Sequence, residues 1–173
     1  KSGKKRLTLS ASASDCRLHL TNQRKQNPEK APNFCMVLRK YLLAGRIAGI
    51  MQDGLDRAVQ ILIDSKDEMG VLCRYALIAE LMGKYSNLIL CDQNGHILDS
   101  IKHVSLDVSS KRQVLPGLKY ILPPSEKQNP LTISAEELAD ILKDKELPGG
   151  LLQSIEGISP QTATQLCGEY WPK

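Results

Sequence analysis

VLCRYALIAELM, residues 71–82, decides how the rest of the chain is read. Its apolar residues fall on both parities instead of alternating. A strand of that kind has no solvent face, so it predicts a central strand buried on both sides. Its neighbours in sequence supply the partners. Before it, RIAGIMQ (46–52) and RAVQILID (57–64) read as strands joined at Asp53-Gly54, and SKDEMG (65–70) closes the second. After it, GKYSN (83–87) turns into LILCD (88–92), and Asn94-Gly95 turns into ILDSIK (97–102). Asn-Gly tolerates the positive φ that tight hairpins need. The expectation is an antiparallel meander over residues 46–102.

The flanks read differently. KKRLTLSASASDCRLHLT (4–21) alternates as two strands, and NQRKQNPEKAPN (22–33) is a polar, proline-broken loop. FCMVLRKYLLAG (34–45) places Phe34, Val37, Leu38, Tyr41 and Leu42 on one helical face, with Arg39 and Lys40 toward solvent and Gly45 as the stop. RQVLPGLKYILPP (112–124) is extended, and its prolines exclude regular central pairing. Beyond it, ISAEELADILK (133–143) begins with a capping box of Ser134 and Glu137, and residues 148–170 read as two short helices. The fold class expected is α+β: an antiparallel β-meander or sandwich with a packed helix (1–124), then a small helical region (125–173).

Composition narrows the function classes. The 173 residues are 42% apolar and 24% charged, an ordinary globular balance. No apolar run is long enough to span a membrane. Five separated cysteines, without CxxC or a Cys/His cluster, argue against zinc and suit free thiols in a reducing cytoplasm. His19, His96 and His103 lack metal-ligand spacing, so neither metal nor cofactor is expected. No nucleophile–base, paired-carboxylate or phosphate-loop signature is present, although a triad assembled by the fold stays open. Charge is divided: residues 1–46 hold eleven Lys/Arg against two Asp/Glu (+9), and residues 47–173 hold twelve against seventeen (−5). Such a division suggests a polyanion-binding face, with a merely solvated basic surface as the alternative.

Two local features carry candidate chemistry. SIEGISPQTATQL (154–166) resembles a helix-hairpin-helix, an element that aims backbone N–H groups at a phosphate. Its turn, Gly157-Ile158-Ser159, lacks the usual second glycine, and Ser159 can instead cap the next helix with Pro160 at its first position. In DGLDRAVQILID (53–64), a strand begun at Arg57 puts Arg57, Val59, Ile61 and Ile63 on one face and Asp56 on the other. A guanidinium in that register either caps the sheet end in an ordinary ion pair or reaches a partner anion.

LRKYLLAGRI (38–47), LDR (55–57), AELMGKYSNLILCD (79–92) and RQVLPGLKYILPP (112–124), in this order, resemble the amino-terminal domain of the NFACT family. Its bacterial members are called fibronectin-binding protein A-like or RqcH, and its eukaryotic counterpart is NEMF. The resemblance spans about residues 5–170 and implies ribosome-associated quality control. Family members bind a large ribosomal subunit obstructed by peptidyl-tRNA and recruit charged tRNA for an untemplated tail, alanine in bacteria. It further implies a fold similar to the amino-terminal domain of formamidopyrimidine-DNA glycosylases. The family's Asp-Arg pair, tied to tRNA recruitment, falls on Asp56 and Arg57. Arg39, Lys40, Arg46, Lys84, Arg112, Gly157, Ile158 and Ser159 are the accompanying candidates for nucleic-acid backbone contacts. The family pattern starts some tens of residues before Lys1, so the domain's first segment, the coiled coil and the carboxy-terminal part are expected to lie outside this chain.

Three function classes therefore stand: a tRNA- and large-subunit-binding module without catalysis, a surface adhesin for fibronectin or another matrix protein, and a glycosylase-like enzyme. The glycosylase needs an amino-terminal proline and acid, and this chain offers neither.

Overall fold

The structure, a computed structural model, describes residues 3–52, 54–110 and 112–169, with Glu169 described by its backbone alone. Asp53, half of the expected Asp53-Gly54 turn, lies outside the described residues. The chain divides into two compact units, Lys1–Gln52 with Arg57–Leu122, and Asp53–Asp56 with Pro123–Lys173. A linear boundary at 124/125 assigns residues 53–56 to the first unit, whereas the folded chain groups them with the second.

The first unit holds a five-stranded antiparallel sheet: β3 (Arg46–Gln52), β4 (Ala58–Lys66), β5 (Leu72–Glu80), β6 (Asn87–Cys91) and β7 (Ile97–Ser100), in chain order. It is the meander expected over 46–102. Strand β5 lies in the middle, paired with β4 from Ala58↔Glu80 to Lys66↔Leu72 and with β6 from Ala76↔Cys91 to Glu80↔Asn87. Its double-sided apolar pattern has a direct structural cause. Leu77 and Ala79 enter one cluster with Phe34, Ile61, Ile63, Leu88 and Leu90, while Ile78 enters another with Ile89, Cys91, Ile97 and Val114. Each buried Leu, Ile, Val or Phe among them contributes about 1.5–3 kcal/mol. Burial on both faces holds only for the last residues of β5, because Val71, Leu72 and Arg74 are exposed.

The first face is covered by a hairpin, β1 (Arg6–Ser10) with β2 (Arg17–Thr21), and by helix α1 (Asn33–Leu42). Leu7, Leu9, Ala11 and Leu18 come from the hairpin, and Val37, Leu38, Tyr41 and Leu42 from the helix. Leu43 and Ala44 leave the helical conformation, the latter at φ 62°, and end α1. The chain then returns through Gly45, where a Cβ would stand 2.8 Å from the Ile63 side chain, so glycine is needed for this approach.

The second face is covered by irregular backbone. Val104 bridges Val114, and the Ile97 N–H donates to Leu118 O while the Tyr120 N–H donates to Gly95 O. Leu115-Pro116-Gly117-Leu118 closes a turn with Gly117 at φ 84°. The prolines thus exclude a regular strand and leave an extended lid that pairs at isolated points.

Two hairpins share one device. Asp67 Oδ1 accepts the N–H groups of Met69 and Val71, and Asp92 Oδ1 accepts those of Asn94 and His96. Gly70 and Gly95 follow three residues after each aspartate, both at positive φ. The repeated D-x-x-G spacing marks both turns, and Asn94-Gly95 alone marks only one.

The second unit contains α2 (Ala135–Leu142), α3 (Gly149–Ser154) and α4 (Pro160–Glu169) around Leu142, Leu151, Ile155 and Ala163. The Ser134–Glu137 capping box is formed in both directions, at 3.1 and 2.9 Å. Gly157, at φ 70°, lies against Leu55, whose Cβ is 3.1 Å from where a Gly157 Cβ would be. That close approach ties residues 54–56 to this unit. Among the described residues no helix is long and apolar enough to cross a membrane.

Candidate nucleic-acid interface

Arg57 is an exposed bend residue immediately before β4. The strand begins at Ala58, one residue later than the alternation argument requires. The pleat therefore does not extend to Asp56, and it does not define opposite sides for the pair. What fixes Arg57 is its backbone: its carbonyl accepts the Leu81 N–H at 2.8 Å. The fold uses the main chain here and leaves the guanidinium at the surface. Asp56 ends the short segment of the second unit and is half-buried.

Past Leu81 the chain makes a tight turn. The Met82 N–H donates to Ser86 Oγ at 2.8 Å, and Gly83–Tyr85 form a single 3-10 turn. Lys84 Nζ lies 5.0 Å from the Tyr85 ring centroid. The turn is held from below: Lys102 Nζ donates to Lys84 O and to Ala11 O, while Asn87 exchanges two hydrogen bonds with the Lys102 backbone. Cys16, at the closed end of the β1–β2 hairpin, completes the cluster. Its thiol is held below its usual range by the Ser86 hydroxyl, by backbone at Gly83 and, more weakly, by the Arg57 charge. Arg57, Lys84, Tyr85 and Cys16 therefore share one neighbourhood. Neither Tyr85 nor Cys16 was legible as part of it in the sequence, although an aromatic inside the polar GKYSN turn is an available signal.

Cys91 contrasts with Cys16. It is 1% exposed, and burial pushes its thiol up to about 12. Thiol titration of the native protein at pH 8 should modify Cys16 well before Cys91, with Cys91 reacting only on unfolding. Cys16→Ser should remove a fast phase; rapid native-state labelling of Cys91 would contradict the packing described here.

Arg112 needs correction as a candidate phosphate contact. Its guanidinium bonds both Glu80 carboxylate oxygens at 2.8 Å and the Ile121 carbonyl at 2.8 Å, and its side chain is 14% exposed. Tyr120 Oη donates to the same carboxylate at 2.9 Å. Burial, with the Glu80 charge second, pushes the Tyr120 phenol up. Burial opposes the Arg112 charge, but the Glu80 bonds outweigh it and its pKa is raised. This trio clasps the extended lid to β5, and the Arg112 charge is engaged by the Glu80 carboxylate.

The other candidates are dispersed. Arg39 and Lys40 lie on the exposed side of α1, and Lys40 pairs with Glu68 at 3.1 Å. Arg46 opens the edge strand β3 and is exposed. In the second unit, Ile158 packs against the Leu142–Ile155 cluster. Ser159 Oγ accepts the Thr162 N–H at 3.1 Å, so this serine caps α4. A cavity of about 640 Å³ borders α1 and β7, with Phe34, Leu38, Leu88, Asp99 and His103 among its walls, but none of the candidate residues lines it. Among the described residues, no group of His, Cys, Asp or Glu is placed to hold a metal.

Comparisons with known proteins meet this geometry. The family model described as "NFACT N-terminal and middle domains" matches residues 1–171. The Rqc2 homolog RqcH of Streptococcus pneumoniae is 44% identical over 164 residues, covering 93% of this chain and 30% of the relative. RqcH of Bacillus subtilis is 40% identical over 164 residues, covering 92% and 29%. The crystal structure of the N-terminal domain of the fibronectin-binding protein PavA from Streptococcus pneumoniae superposes with a TM-score of 0.81 at 43% identity, covering 94% of this chain and 62% of that one. The chain thus spans under a third of the length of these curated relatives.

Proposed function

Because this chain belongs to the NFACT family, we propose that it is an RNA-binding part of a ribosome-associated quality control factor. In this reading it engages tRNA on a large ribosomal subunit obstructed by peptidyl-tRNA, in the cytoplasm, and places charged tRNA for untemplated alanine tailing. Its part is binding and placement, with no catalytic group and no cofactor of its own. The observation that carries the reading is Arg57, exposed at a strand entry whose backbone is fixed by Leu81, with Lys84 in the adjoining turn. A rigid cationic fork on fixed backbone is suited to phosphate. The basic balance of residues 1–46 supports it, because phosphate contacts gain from counterion release. Arg39 and Arg46 remain exposed enough for that role; the α4 entry at Ser159 is a secondary contact in this reading.

Cross-linking of the full-length protein in cells, followed by sequencing of the bound RNA, tests it. Enrichment of tRNA and large-subunit rRNA is expected; recovery at the level of an uncross-linked control would sink the reading. In vitro, affinity for total tRNA should fall by about 0.7–0.9 log units per log unit of salt for each phosphate contact made.

A second reading follows from the naming of PavA as a fibronectin-binding protein. It makes the chain part of a surface adhesin. Fractionation separates the two: co-sedimentation with ribosomes supports the first, and labelling on intact cells supports the second.

A further inference from the structure

We infer that Tyr85 is a stacking platform for an unpaired base of the RNA held at Arg57. This deepens the proposed function and rests on it. Tyr85 is 71% exposed, although the chain has few aromatic residues to spend on its surface. It sits in the turn that follows Leu81, the residue that binds the Arg57 carbonyl.

The turn is built to hold a ring still. Lys102 anchors the Lys84 carbonyl, Ser86 receives the Met82 N–H, and the Ser86 N–H returns to Gly83 O at 3.0 Å. A tyrosine on such a base has two side-chain torsions to order, so little conformational entropy is lost when a base lands on it. Lys84 Nζ occupies one side of the ring at 5.0 Å. The opposite face can take a flat base while the ammonium reaches toward its phosphate. A guanidinium for phosphate, an ammonium for phosphate and a ring for a base form the combination by which proteins hold single-stranded nucleotides. Loops and ends supply such bases in RNA, and duplex stems do not. The ligand class is therefore an unpaired nucleotide of a structured RNA.

The test uses the full-length protein and total deacylated tRNA as probe. Tyr85→Phe and Tyr85→Trp should bind within about twofold of wild type, because each retains a π-face. Tyr85→Leu and Tyr85→Ala should each lose about tenfold or more in affinity, the scale of one lost base stack. Their salt slope should be unchanged, since stacking releases no counterions, whereas Lys84→Ala should lower the slope by about 0.7–0.9. Thermal stability should not move in any of the four Tyr85 variants. Wild-type binding by Tyr85→Ala, or rescue by leucine equal to that by phenylalanine, overturns the inference. If Arg57→Ala weakens binding while Tyr85→Ala does not, this inference alone fails. If wild type itself does not bind tRNA, the underlying reading fails with it.

Discussion

Under the proposed function, Arg57→Ala in the full-length protein should cut alanine tailing of stalled chains by about 10- to 100-fold and leave folding nearly intact. The magnitude follows from the interaction lost. A hydrogen bond to a charged group contributes about 1.5–3 kcal/mol, and each 1.4 kcal/mol is a factor of ten. The insulation of folding follows from position. Arg57 precedes the ladder of β4, it is exposed, and alanine keeps the carbonyl that accepts the Leu81 N–H. Arg57→Lys should be intermediate, because an ammonium retains the charge and loses the planar fork. Asp56→Ala should act in the same direction. Reconstituted tailing on obstructed large subunits gives the activity, and circular dichroism gives the fold. Normal tailing by both alanine variants rejects the assignment of this pair.

Arg112→Ala should behave in the opposite way, costing stability and sparing RNA affinity per folded molecule. Glu80 is 2% exposed, and its carboxylate is satisfied by Arg112 and Tyr120. Removing the guanidinium leaves a buried charge with one hydroxyl donor, at a cost of about 3–5 kcal/mol. For a chain of this size that corresponds to a fall in Tm of roughly 6–20 °C. The double variant Glu80→Met with Arg112→Met removes both charges and should recover most of the loss, because the desolvation penalty disappears together with the attraction. Denaturant unfolding checks both variants. A loss below about 1 kcal/mol in Arg112→Ala would mean that the clasp does not pin the lid to β5. A reduced salt slope for tRNA binding would restore Arg112 as a phosphate contact.

These two arginines show where sequence reading reaches its limit. Both stand beside recognisable motifs, LDR and RQVLPG, and both are cations that suit a phosphate. Pattern alone ranks them together. The structure separates them through Glu80, an acid in the inner half of β5 whose parity with Ile78 places it on the face covered by the lid. A buried carboxylate requires a buried cation, and Arg112 is the residue that the lid delivers to it. The pairing joins positions 32 residues apart, and no local periodicity reports it.

What the sequence determined by itself is the local grammar. Two-sided apolarity made β5 central, Asp67-x-x-Gly70 turned β4 into β5, Asp92-x-Asn94-Gly95 turned β6 into β7, i/i+3/i+4 spacing made α1, and Ser134 with Glu137 started α2. These are short-range effects, set by steric limits on φ and ψ and by the period of each element. Only the tertiary structure decided the rest: that residues 53–56 group with the helical unit through Leu55 and Gly157, that Arg112 is structural, and that the turn carrying Tyr85 departs from the residue bonded to the Arg57 carbonyl. The physical reason is common to all three. Close packing and charge pairing act between residues that become neighbours only when the chain folds, so their energy is absent from any window of sequence.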